Sequence, residues 1–162
     1  MTQGEVPIPR HAARAILIDD ANRVLLVRFE DADTGETWWG TPGGGLEPGE
    51  THEEAARREI GEETGLEGVV LGPWIWSREH VFRVGGTLYH QYERYFVVRV
   101  PTFNPRTVRL EPDEARWFRD LRWWSSTELA SATVTTAPRD LPALLRDLME
   151  QGPPREPRSV GI

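Results

Sequence analysis

The stretch from Gly44 to Leu66, GGLEPGETHEEAARREIGEETGL, constrains this chain more than any other. Thr51 is followed three residues later by Glu54, the spacing of a capping box, and Gly65 stands where a helix end needs a left-handed residue. These signals predict a helix from His52 to Thr64. Within it Glu59, Glu62 and Glu63 fall at i, i+3 and i+4, so three carboxylates project from one face. Like charges at that spacing repel, and the helix loses stability unless a cation sits among them. All-oxygen carboxylate clusters suit hard divalent ions, and Mg²⁺ in particular combines a few carboxylates with water and substrate phosphates. The bland alternative is a solvated face on which Arg and Glu merely pair. Against it stand the glycine turn before the helix and the interior Gly61, which costs about 1 kcal/mol relative to Ala.

The same residues resemble the signature of the Nudix (MutT-like) hydrolases. That signature is a glycine, five residues, Glu, seven residues, then Arg-Glu-apolar-any-Glu-Glu-any-Gly-apolar. Gly44, Glu50, Arg58, Glu59, Ile60, Glu62, Glu63, Gly65 and Leu66 fill its fixed positions, and Trp39, Pro42, Gly43 and Gly44 match an aromatic-x-x-Pro-Gly-Gly run common just before it.

Composition narrows the classes further. At 162 residues, 38% apolar and 28% charged, the chain is one ordinary domain. Of the net charge of −7, the signature stretch supplies five: seven Glu against Arg57 and Arg58. Acidity gathered where a cation belongs argues against adhesion to duplex nucleic acid or anionic membrane. There is no cysteine, so disulfides, thiol chemistry and Cys-type zinc sites are excluded. All 19 basic residues are Arg, which a GC-rich genome explains. No run approaches the ~18 apolar residues of a membrane span, and the N-terminus has no signal-like apolar core, so a cytoplasmic protein is expected.

Met1 to Pro9 reads as a flexible lead, 10–152 as the single domain, and 153–162, with three prolines, as a disordered tail. His11–Asp19 and Val24–Phe29 form one expected hairpin, and Gly68–Val84 with Thr87–Val100 another, turned by Gly85-Gly86. Pro101 to Pro112 is a loop too long for a turn, so functional or disordered. A short strand at Leu121–Trp124 leads to a helix capped by Ser125. Leu141, Leu144, Leu145, Leu148 and Met149 form an amphipathic stripe for core packing, with a homodimer seam as the alternative. Strands flanked by helices give an α/β (α+β) domain. The resemblance implies the Nudix α/β/α sandwich with a mixed sheet.

It also implies a reaction, water attacking phosphorus in the diphosphate bond of a nucleoside triphosphate or nucleoside diphosphate derivative, with Mg²⁺ or Mn²⁺ as cofactor. Glu59, Glu62 and Glu63 are the expected ligands, joined by the Gly43 carbonyl. Gly44, Glu50, Arg58 and Gly65 read as structural, Glu50 and Arg58 as a pair fixing the loop to the helix. Glu59 or Glu62 is a candidate general base. So is an acid of the later loop, among Glu111, Asp113 and Glu114, with Glu114 preferred. Trp38 and Trp39 are the candidate substrate-stacking residues. The four histidines show no ligand spacing and read as surface or satisfied residues. The marks of ADP-ribose and dinucleoside polyphosphate hydrolases are absent beyond the signature, where Val81, Phe82 and Arg83 stand. The isomerases of this fold use a cysteine the chain lacks. The alternative is a catalytically idle nucleotide-binding sensor of the same fold.

Overall fold

The computed structural model describes residues 4–161, apart from the side chain of Asp113. The first hairpin joins β1 (Ile8–Ile18) to β2 (Arg23–Glu30). Asp19 fixes its turn by accepting the amides of Ala21 and Arg23 and the Arg23 guanidinium. β3 (Thr37–Gly40) follows, then β4 (Gly43–Gly45), which lies against β1 with Gly44 opposite Ala13. The glycines expected as a turn are therefore a three-residue strand. Gly43 has φ 145, and a Cβ there would run into the Ala13 carbonyl, so only glycine permits this approach.

Helix α1 (His52–Thr64) has the predicted bounds. The Thr51 hydroxyl accepts from the Glu54 amide at 3.1 Å and the Glu54 carboxylate accepts from the Thr51 amide at 3.2 Å. β5 (Trp74–Val84) and β6 (Thr87–Arg99) form the second hairpin, in which Arg78 faces Glu93. The chain is completed by α2 (Pro112–Ala115), β7 (Phe118–Ser125), α3 (Ser126–Ser131), β8 (Thr136–Ala137), α4 (Leu141–Gln151) and β9 (Arg158–Ser159).

The sheet runs β8-β3-β2-β1-β6-β5-β9, with β4 added on β1 and β7 on β2. β1–β6, β3–β8 and β5–β9 are parallel and the rest antiparallel, so the sheet is mixed. Strand alternation sends Ala15 and Leu17 toward Ile60 of α1, and Ile16 and Ile18 toward Leu129 of α3 and Leu141, Leu145 and Leu148 of α4. Helices thus cover both faces, and the stripe on α4 is core. Each buried leucine of that stripe stabilises by about 1.5–3 kcal/mol.

Loop 101–111 has a definite task. Arg106 N–H donates to the Thr64 carbonyl, Val108 and Arg109 N–H to that of Glu62, and the Thr107 hydroxyl to that of Glu63. The last-turn carbonyls of α1, which have no partner within the helix, are met by this loop.

The two termini differ from expectation. Residues 1–3 lie outside the described residues, but strand β1 begins at Ile8 and Glu5 pairs with Arg83 at 2.7 Å. The expected disordered tail instead returns to the sheet edge. Val160 N–H donates to Ser77 and the Gly161 carbonyl accepts from Arg78, so backbone hydrogen bonds hold a segment that has no apolar pattern.

Candidate active site

Glu59 and Glu62 of α1 and Glu114 of α2 each bring a carboxylate oxygen within 4.8 Å of the others. Glu59 is buried, and its Oε2 accepts no hydrogen bond among the described residues. Burial raises Glu62, and the charge of Glu59 raises it further. Burial with the Glu59 charge pushes Glu114 up to about 8. Glu62 and Glu114 therefore resist ionising beside Glu59, the condition a divalent cation relieves. A buried, orphaned oxygen within an all-oxygen donor set fits Mg²⁺ or Mn²⁺.

Glu63 occupies a different place from its neighbours. It is buried and accepts the Gly43 amide at 2.7 Å; burial, then the charges of Glu59 and Glu114, hold its carboxyl well above the usual range. The Gly43 carbonyl already accepts from Arg14 at 3.2 Å, which leaves it one lone pair. Arg58 holds Glu50 at 2.8 Å, Glu59 at 2.9 Å and the Gly45 carbonyl at 3.0 Å, stitching the strand β4 and its following turn to the helix. Of the later-loop acids, Glu111 pairs loosely with Arg109 and the Asp113 side chain lies outside the described residues; Glu114 alone joins the cluster.

Glu114, with Gly43 and Gly44, lines a cleft of about 870 Å³. One wall is aromatic: Trp38 stacks on Phe29, centroids 5.7 Å apart, and meets the edge of Trp117 at 5.7 Å. Trp39 is not in this wall. Neighbouring residues of a strand point to opposite faces, so Trp39 packs instead against Trp124 in the core at 5.2 Å.

The other wall was not foreseen from sequence. Glu93 is buried on β6 and accepts from Arg14 and Arg78, each at 2.7 Å, from Gln91 at 3.0 Å and from Tyr95 at 3.3 Å. Burial opposes its ionisation, but the two guanidiniums prevail and hold it at about 2. His80, expected at the surface or satisfied, lines the cleft with a buried Nε2 that has no hydrogen-bond partner among the described residues, and burial lowers its pKa to about 4. His11 and His90 stack on Tyr92 instead. The signal for this wall lay in the turn: counting back from Gly85-Gly86 along both strands places Arg78 opposite Glu93.

A mixed sheet lies between helices, and a capped helix groups its carboxylates with Glu114 at the edge of a cleft. The NUDIX domain model matches residues 9–146, and the chain belongs to the Nudix family. Nucleoside triphosphatase NudI of Enterobacter sp. (strain 638) is 34% identical over 105 residues, 62% of this chain and 71% of that protein. RNA pyrophosphohydrolase of Sphingopyxis alaskensis is 38% identical over 73 residues, 45% of each chain. A Bacillus subtilis relative is 38% identical over 77 residues, 43% of this chain and 49% of that protein. The chain thus matches about half the length of the latter two. Among solved structures, a MutT NUDIX hydrolase of Burkholderia pseudomallei aligns at TM-score 0.57 and 28% identity, covering 85% of this chain and 96% of that one. A MutT protein of Methanosarcina mazei Go1 aligns at 0.66 and 20%, covering 91% and 100%, a likeness of fold.

Proposed function

We propose that the chain is a divalent-metal-dependent hydrolase of a diphosphate bond in a nucleoside triphosphate or nucleoside diphosphate derivative. The convergence of Glu59, Glu62 and Glu114 beside an aromatic-walled cleft carries this reading. Two relatives named as a nucleoside triphosphatase and an RNA pyrophosphohydrolase support a nucleotide-type substrate. Glu59, Glu62 and Glu63, with Glu114 and the Gly43 carbonyl, would hold Mg²⁺ or Mn²⁺. Such an ion neutralises phosphate oxygens and makes its bound water more acidic.

The chain's own groups do the rest. Trp38 offers a face on which a base stacks. Glu63 fixes the Gly43 amide, and with it the direction of the carbonyl. Water adds to phosphorus, the bridging P–O bond breaks, and the proton given up by the water passes to a carboxylate, a role this reading gives to Glu114. Burial and the Glu59 charge hold Glu114 at about 8, largely protonated at neutral pH, and a bound cation would favour the ionised form that can act as base.

The test is phosphate or pyrophosphate release from a panel of nucleotides and nucleotide sugars with Mg²⁺, with Mn²⁺ and with EDTA. Metal-dependent turnover that Glu62→Gln lowers more than about a hundredfold is the expected result. A variant with the wild-type rate overturns the assignment. No turnover on any compound, with a nucleotide still raising Tm, leaves a binding domain in its place.

A further inference from the structure

Helix α2 is a single turn, too short to hold itself, yet it places Glu114 beside Glu59 and Glu62. Carboxylates at that separation push one another apart, so the position of Glu114 has to be enforced from outside the turn. Connections on both sides of it do this. Before α2 the loop is pinned to α1, where Arg109 N–H donates to the Glu62 carbonyl. After α2 stands Arg119 of β7. Its Nε donates to the Glu30 carboxylate at 3.0 Å and its Nη2 to the Arg116 carbonyl at 2.9 Å. Its Nη1 donates to the Phe118 carbonyl at 3.1 Å and, more weakly, to that of Ala115 at 3.4 Å. A half-exposed Arg–Glu pair stabilises little by itself. Here the fork also takes up carbonyls that end the turn and fixes them to Glu30, the last residue of β2.

The same turn carries Trp117. Its N–H donates to the Glu114 carbonyl at 3.0 Å, and its own carbonyl accepts from Glu30 N–H at 2.8 Å. Its ring braces Trp38 edge-on, and both Glu114 and Trp117 line the cleft, whereas Arg119 does not. An acid of the carboxylate group and the brace of the stacking wall therefore stand three residues apart on one short segment. We propose that Arg119 is a positioning residue that holds 114–117 as one unit, so that a guanidinium outside the cleft sets the geometry of the carboxylate site and of the base-stacking wall together. This rests on the hydrolase reading above, which gives Glu114 and Trp38 their roles.

The experiment compares wild type, Arg119→Gln and Arg122→Gln. Mn²⁺ binding is read by calorimetry without nucleotide, and binding of adenosine and guanosine by tryptophan fluorescence in EDTA. Arg122 is the control, since it lies on the same strand and loses a similar pair, with Glu128 at 3.2 Å. Arg119→Gln is expected to bind Mn²⁺ about tenfold more weakly and the nucleosides about threefold more weakly, while Arg122→Gln stays within about twofold of wild type on both. With saturating Mg²⁺ and nucleotide, far below the Tm of the variant, its kcat falls about tenfold. Wild-type affinities and kcat with only Tm lowered would make Arg119 merely structural and overturn the proposal. Loss of Mn²⁺ binding alone, or of nucleoside binding alone, overturns it too, because the segment then does not act as a unit. So does an equal loss in Arg122→Gln, or a wild type that binds no Mn²⁺ or neither nucleoside. Should Arg119→Gln not fold, Arg119→Lys keeps the charge but loses the fork. It is expected to bind Mn²⁺ about threefold more weakly, and affinity equal to wild type is the overturning result. If wild type hydrolyses no nucleotide, the hydrolase reading fails, and the two binding titrations judge Arg119 by themselves.

Discussion

Glu93 meets four donors with two oxygens, so its loss strips the acceptor from four groups at once. Glu93→Ala leaves two guanidiniums without their carboxylate inside the protein. A loss of about 3–5 kcal/mol in urea unfolding is expected, the cost of breaking a buried pair from one side. As an acid held low, Glu93 contributes stability that is complete above pH 4.5 and disappears as pH falls through about 2. His80 acts in the same direction at a higher pH. Burial keeps its imidazole neutral down to about 4, whereas the unfolded chain takes up the proton near 6.5. Stability therefore falls with pH across that window. Against His80→Gln, the wild-type urea midpoint should lose ground between pH 6.5 and 4 and keep a constant offset from pH 7 to 8. A constant offset throughout would remove His80 as the cause.

At the scale of elements, Gly61 within α1 and Gly65 just past its end are expected to behave oppositely. A Cβ on Gly61 meets nothing nearer than 3.8 Å, so nothing in the packing requires glycine there, and Gly61→Ala should stabilise by about 0.4–1 kcal/mol. Gly65 has φ 82 and a Cβ there comes 2.8 Å from the Arg106 carbonyl, so Gly65→Ala should destabilise and strip the loop from the helix end. Thermal melts of the two variants decide this. In β4, a Cβ on Gly44 would lie 2.7 Å from Glu59 Oε1. On the proposed function, Gly44→Ala should weaken Mg²⁺ binding about 10–100-fold in calorimetry, because it pushes the Glu59 carboxylate out of place. Helix α1 was legible in the sequence because caps, glycine and carboxylate spacing agree within one short window. Both hairpins were legible from their turns. β3 and β4 were not, since four residues containing two tryptophans show no period and three glycines carry no side-chain signal. For the same reason Trp39 and Trp38 could not be sorted between core and cleft. The polar wall stayed hidden because Arg78, His80, Gln91 and Glu93 fall on alternate positions that look like a solvated face until the two strands are paired.

In the whole molecule the carboxylates are drawn from two elements far apart in the chain, so a bound ion would tie α1 to α2. Mg²⁺ at 100 times its Kd should add about 2.7 kcal/mol, seen as a rise in Tm that EDTA reverses and that Glu59→Gln abolishes. An unchanged Tm would mean the carboxylates do not hold the ion. The cleft's opposite wall is assembled from the far end of the chain, since Arg78 of β5 is anchored by the carbonyl of Gly161. Arg78 thus joins Glu93 of the neighbouring strand to the segment beside β9, and a chain cut after residue 157 should loosen that wall in a proteolysis time course while α1 keeps its protection.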